Sequence, residues 1–177
     1  NEPIIVWKEN TNSIIMKKFN GTMWELFYSD NFLGNITSPV LKIDKNIIPN
    51  VIYLGYRNSS GRAVIARYNN YAWSIVGGAS ISTGSASDIS LDVFNNIVYA
   101  SFLDLNNDSK ISVKKFNGTN WEVIGNLDFT LSSDNPYLRV HNNHSYVVYQ
   151  NGFEGKVSLI KFDGNDWDFI GNSNISA

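Results

Sequence analysis

The sequence predicts an all-β chain built from a repeated four-stranded unit, and three observations carry this. Four of the five tryptophans, Trp24, Trp73, Trp121 and Trp167, lie 49, 48 and 46 residues apart, each five residues after an aromatic. Short apolar runs fill the intervals, bounded by turn clusters, and none has a helical period. Aromatics make up 14% of the chain and charged residues only 17%, with 13 glycines. That balance suits pleated strands and tight turns better than a helical bundle.

Within a unit the elements follow in order. The first strand carries Leu-x-Ile or Leu-x-Val, at residues 41–43, 91–93 and 138–140. The second is aromatic, at residues 51–56, 97–102 and 145–149, and residues 4–7 match it at the start of the chain. The third ends at an aromatic and runs into Asn20-Gly21, Asn69-Asn70, Asn117-Gly118 or Asp163-Gly164. Such a step is expected to supply the positive-φ pair of a type I′ hairpin turn, asparagine being the non-glycine residue that enters that region most readily. The fourth strand starts near the tryptophan and closes on Gly77, Gly125 or Gly171, with Tyr28 in the first copy.

Four short strands in about 48 residues make a propeller blade. The expected organisation is a single β-propeller domain or propeller segment of about four blades, at residues 1–29, 38–77, 87–125 and 135–171, the first lacking its first strand. The missing strand leaves three readings open: a piece of a larger propeller with flanking blades in a longer parent chain, a homodimer completing a ring of about eight blades, or a three-stranded first blade. In a blade both faces of the middle strands are covered, so they should be apolar nearly throughout. The regularity of the four tryptophans assigns them to packing between blades, with an indole N–H that needs a partner.

The pattern resembles β-propeller repeat proteins with aromatic blades ending Trp-x-x-Val/Ile-Gly, and the likeness covers essentially the whole chain. It is loosely similar to bacterial lectin, kelch and sialidase-type propellers. The step Asp163-Gly164-Asn165-Asp166-Trp167 differs from the sialidase Asp-box by placing Asp one residue nearer to Trp and lacking the serine, and the paired glycines of kelch blades are absent. The resemblance implies a ligand face formed by the loops between blades and the loops joining strands two and three of each blade. On that face Asp30, Asn31, Asp88, Asp128, Asp134 and Asn135 are the candidate ligand-binding residues. Carboxylates and amides near aromatics such as Phe32 and Phe129 suit hydrogen bonding to sugar hydroxyls with stacking on a ring.

Other chemistry is sparse. Asp104, Asn106 and Asp108 alternate as in the opening of a calcium loop, but Ser109 stands where its glycine belongs and Lys115 where an EF-hand has Glu. A polar turn and a calcium site are both readings of it; no other cofactor is expected. His141 and His144 have no third metal ligand nearby in sequence, and three of the four arginines, Arg57, Arg62 and Arg67, crowd into one blade. There is no cysteine, hence no disulfide or thiol chemistry, and a net charge of −2 gives no field for nucleic acid. No apolar run is long enough for membrane insertion. The chain opens at Asn1 without a basic start or apolar segment, the pattern of a processed, excised or engineered start. The expected function is a non-catalytic, extracellular or cell-surface module with a glycan or protein ligand. A glycoside hydrolase or sialidase-like enzyme, using carboxylates such as Asp30, Asp88 and Asp134 in equivalent loops, and a purely structural repeat are the alternatives.

Overall fold

The computed structural model describes residues 2–9, 14–30, 36–47, 50–69, 72–127, 130 and 132–176, without the side chains of residues 29 and 30. Its strands form four antiparallel sheets in chain order. The first has three strands, β1 (Ile4–Lys8), β2 (Ile14–Phe19) and β3 (Trp24–Asp30). The second has β4 (Thr37–Asp44), β5 (Val51–Arg57), β6 (Ala63–Asn69) and β7 (Ala72–Ile75). The third has β8 (Ala86–Phe94), β9 (Ile97–Asp104), β10 (Lys110–Phe116) and β11 (Trp121–Val123). The fourth has β12 (Ser133–His141), β13 (His144–Asn151), β14 (Val157–Phe162) and β15 (Trp167–Phe169). The opening strands β4, β8 and β12 pack side by side, as the inner strands of propeller blades do, and β1 packs on β4. The chain is thus an arc of four blades, the first three-stranded. Among the described residues no helix is long and apolar enough to cross a membrane.

The core is a set of three apolar layers, one at each junction between blades. β5 shows why residues 51–56 carry no charge and are buried throughout. Val51 and Tyr53 enter the layer shared with the third blade, whereas Ile52, Leu54 and Tyr56 enter the layer shared with the first. A strand's side chains alternate between faces, and here each face meets a neighbouring blade. The third layer joins Leu103, Ile111 and Val113 to Leu138, Val147, Ile160 and Trp167.

The Trp-x-x-Val/Ile-Gly signature is a lock between consecutive blades. Trp121 donates its indole N–H to the Val76 carbonyl at 2.8 Å, and Trp167 donates to the Ile124 carbonyl at 2.7 Å. The glycine that follows each acceptor lies under the ring: a methyl at Gly77 or Gly125 would sit 2.6 Å from the Trp121 or Trp167 ring. Both glycines have positive φ, 70° and 62°. Where the first blade has Tyr28 instead, Trp73 makes an edge contact with that ring at 5.6 Å, and its buried Nε1 has no acceptor among the described residues.

In the first, third and fourth blades the hairpin between third and fourth strands forms where expected, but its turn is not type I′; Asn70, in the second blade's turn, lies outside the described residues. Only the glycine has positive φ, at Gly21, Gly118 and Gly164, and the loop holds four residues. The Asn or Asp before it acts through its side chain. Asn20 Oδ1 accepts the N–H groups of Thr22 and Met23, Asn117 Oδ1 those of Thr119 and Asn120, and Asp163 Oδ1 those of Asn165 and Asp166. This cap holds the exposed Asp163 carboxyl below the usual carboxylate range. Two positive φ angles in succession occur instead at Asn95-Asn96 and Asn142-Asn143, in the hairpins joining first and second strands, and also at Asp108-Ser109 and Gly77-Gly78.

Candidate functional site

Each complete blade's inner strand is bent at one equivalent point. Ser38, Asp88 and Asn135, each three residues before the leucine of the Leu-x-Ile/Val motif, have φ of 51°, 49° and 51°. At each, two residues face one on the second strand: Ser38-Pro39 face Tyr56, Asp88-Ile89 face Phe102, and Asn135-Pro136 face Tyr149. These are β-bulges, and the three facing aromatics are buried in the layers between blades. Short polar side chains tolerate the left-handed region because they hydrogen-bond locally, as Ser87 does in donating its hydroxyl to Asp88 Oδ2 at 2.9 Å.

The three bulges converge on a central cavity of about 450 Å³. Its wall comprises Ser38–Lys42 of β4, Asp88–Leu91 of β8, and Asn135, Pro136, Tyr137 and Arg139 of β12. Below the bulges, Lys42, Asp92 and Arg139 hold one repeat position in successive strands. Asp92 is buried and committed: Lys42 Nζ lies 2.6 Å from its Oδ1, and its Oδ2 accepts the Val140 N–H at 2.7 Å. Ser90 Oγ likewise accepts the Leu138 N–H, so two side chains stitch β8 to β12. The Arg139 guanidinium lies 4.3 Å over the Tyr137 ring and bonds the Tyr137 hydroxyl, leaving an exposed aromatic edge at the cavity mouth.

The sequence-predicted residues divide accordingly. Asp88 and Asn135 meet at the cavity, and Asp134 lies exposed one residue before the third bulge. Asp30, Asp88 and Asp134, expected in equivalent loops, lie instead in strands: Asp30 ends β3, and Asp88 and Asp134 belong to inner strands one repeat position apart. Alternation alone does not reveal that the ladder resumes beyond a bulge. Asn31 and Asp128, like Phe32 and Phe129, lie outside the described residues, as does the Asp30 side chain. Ser38, Lys42, Tyr137 and Arg139 carry no motif of their own in the sequence, although a polar residue three before each motif leucine marks the bulge.

Asp104, Asn106 and Asp108 share one turn, where Asp104 Oδ1 caps the Asn106 N–H at 3.2 Å and Asn106 Oδ1 accepts the Ser85 N–H at 2.6 Å. This ties the turn to the linker entering the third blade. A second cavity, of about 140 Å³, runs beside it along Asp104, Asn107, Lys110 and Asn126. Nearby, Lys114 spans the junction to donate to the Ile81 carbonyl at 2.7 Å, and burial lowers its pKa while Asp104 opposes that. His141 and His144 pair across a type I′ turn, and His144 Nδ1 lies 2.8 Å from the Asn142 carbonyl. Among the described residues no three His, Asp or Glu side chains converge as a metal site.

No family model matches the chain, and no curated protein matches it in sequence. Solved structures do match in fold. SapL1 lectin in complex with α-methyl fucoside superposes with a TM-score of 0.69 at 14% identity, over 94% of this chain and 58% of that one. A lectin of Aleuria aurantia in complex with Fucα1-6GlcNAc gives 0.64 at 12%, over 98% of this chain and 58% of that one. A glycoside hydrolase family 43 arabinoxylan arabinofuranohydrolase of Bacillus subtilis gives 0.55 at 13%, over 90% and 44%. The chain therefore has the fold of these propellers and spans little more than half the length of the two lectins.

Proposed function

We propose that this chain is a non-catalytic carbohydrate-binding module, secreted or displayed at the cell surface, which takes a neutral sugar of the fucoside kind at the mouth of its central cavity. The observation that carries the reading is the convergence of three left-handed bulges, at Ser38, Asp88 and Asn135, on one cavity. A carboxylate, an amide and a hydroxyl supply acceptors and donors for vicinal hydroxyl groups, and the Tyr137 edge offers an apolar surface for a ring face. The volume falls within the range of about 300–1,000 Å³ usual for ligand sites. That the bulges recur at equivalent points of three blades and all border one cavity supports the reading. The lectins of the same fold, solved with fucosides, support the choice of sugar.

Among the described residues, the wall of this cavity does not offer the hydrolase reading its pair of carboxylates. Two carboxylates must flank the scissile bond, about 5–9.5 Å apart. The cavity wall offers Asp88 and, beneath it, Asp92, whose two oxygens are held by Lys42 and the Val140 N–H.

Titration with α-methyl fucoside by NMR, beside a broad glycan array, tests the proposal. Asp88→Gly, Asn135→Gly and Tyr137→Ala should each lower sugar affinity about tenfold while leaving the thermal midpoint nearly unchanged, since glycine keeps the left-handed bend and each variant loses one hydrogen bond or ring contact. Silence across the array overturns the reading in favour of a protein ligand. Running the titration with and without calcium shows whether the Asp104–Asp108 turn takes part; an ion there would compete with Ser85 for Asn106 Oδ1.

A further inference from the structure

The lock that joins consecutive blades is open at both ends of the arc, and its halves match. At the second-to-third junction it has three parts. Trp121 donates to the Val76 carbonyl, Gly77 lies beneath Trp121 and Phe116, and Lys114 donates to the Ile81 carbonyl. The outer face of the fourth blade presents the same receiving half. Ile170 N bonds Leu159 O as Val76 N bonds Ile65 O, and Ile175 N bonds Val157 O as Ile81 N bonds Ala63 O. Ser176 Oγ caps the Val157 N–H as Ser82 caps Ala63 and Thr130 caps Ile111. Gly171 has φ of 79° and nothing within 4 Å of where its Cβ would be. Accordingly Ile170 is 39% exposed where Val76 and Ile124 are 6%, and Ile175 is 52% exposed where Ile81 is 3%.

The first blade presents the inserting half. Lys17, Phe19 and Trp24 occupy the positions of Lys114, Phe116 and Trp121, within a stretch that differs from the third blade's at few places. Phe19 and Trp24 pack with ring centroids 5.4 Å apart, against 5.5 Å for Phe116 and Trp121. Trp24 is 41% exposed where Trp73 and Trp167 are 8% and 6%. Ile5, aligned with the fully buried Leu54, Ala100 and Val147, is exposed on the same face.

We propose that these halves engage between two copies of this chain. Trp24 of one copy seats on Gly171 of the next, donating to the Ile170 carbonyl, while Lys17 reaches the Ile175 carbonyl. The occupant is argued from continuity with the second-to-third junction, whose three anchoring groups all recur at the two open faces. Such an interface is heterologous, so each copy both inserts and receives, and copies join into a closed ring where the rotation permits. The inference is independent of the sugar reading.

Light scattering on the purified chain at tens of micromolar should give a native mass that is a multiple of 19.9 kDa. Trp24→Ser removes the inserting half and Ile170→Glu spoils the receiving half, so each variant alone should run at the mass of a single chain with its circular dichroism unchanged. Mixed, they should form a one-to-one pair, because one intact half of each kind remains. A wild-type chain at single-chain mass overturns the proposal and leaves the two faces to a further blade of a longer polypeptide. Assembly that survives Trp24→Ser, or variants that fail to pair when mixed, overturns it too.

Discussion

Gly77 and Gly171 occupy the same repeat position with similar φ, 70° and 79°, yet different physics governs them. At Gly77 an added methyl meets both a left-handed backbone and the Trp121 ring 2.6 Å away; at Gly171 it meets the backbone strain alone. Gly77→Ala should therefore cost about 3 kcal/mol and Gly171→Ala about 1 kcal/mol in urea unfolding of dilute single chains. Equal costs would show that the ring contact contributes nothing. The glycine was legible in the sequence as the end of a strand. Its reason was not, because the ring above it belongs to a strand more than forty residues on.

Among elements, the last strand of the third and of the fourth blade depends on its junction more than on its ladder. β11 and β15 have three residues each, too short to be stable by pairing alone, and each begins with a tryptophan that crosses to the preceding blade. Trp167→Ala, at a buried ring with a buried N–H bond, should destabilise by about 3–5 kcal/mol, whereas Trp24→Ala on the open face should cost about 1 kcal/mol or less in the dilute single chain. Comparing the two by urea denaturation separates packing from hairpin propensity, since both rings follow an aromatic by five residues. The inner strands were read only in part. The motif leucines at 41, 91 and 138 identified them, but their bulged starts read as loop because a residue with positive φ breaks the period of two. The Asn-Gly turns misled in the opposite sense. Their composition is that of a type I′ pair, while the asparagine side chain instead caps a four-residue loop.

Across the whole molecule, burial recurs with the repeat and gives the blades a shared alkaline weakness. Tyr56 is pushed up to about 12 by burial, and burial also raises Tyr53, Tyr99 and Tyr149. A folded pKa above the unfolded value means that the native state holds the proton more tightly, so stability is intact below about pH 10 and falls as pH rises from there towards 12. Thermal midpoints should be flat from neutral to about pH 9.5 and drop above it, with a smaller drop in Tyr56→Phe. An unchanged alkaline profile in that variant would place the proton loss elsewhere. The repeat, the order of strands and the apolar layers followed from sequence because they rest on local periodicity and on a motif spaced about 48 residues apart. The meeting of Ser38, Asp88, Asn135 and Tyr137 around one cavity, and the matching halves left open at Trp24 and Gly171, were decided only by tertiary structure. They depend on the angle at which blades pack and on three left-handed backbone bends, and neither is encoded in the alternation of apolar and polar residues along a strand.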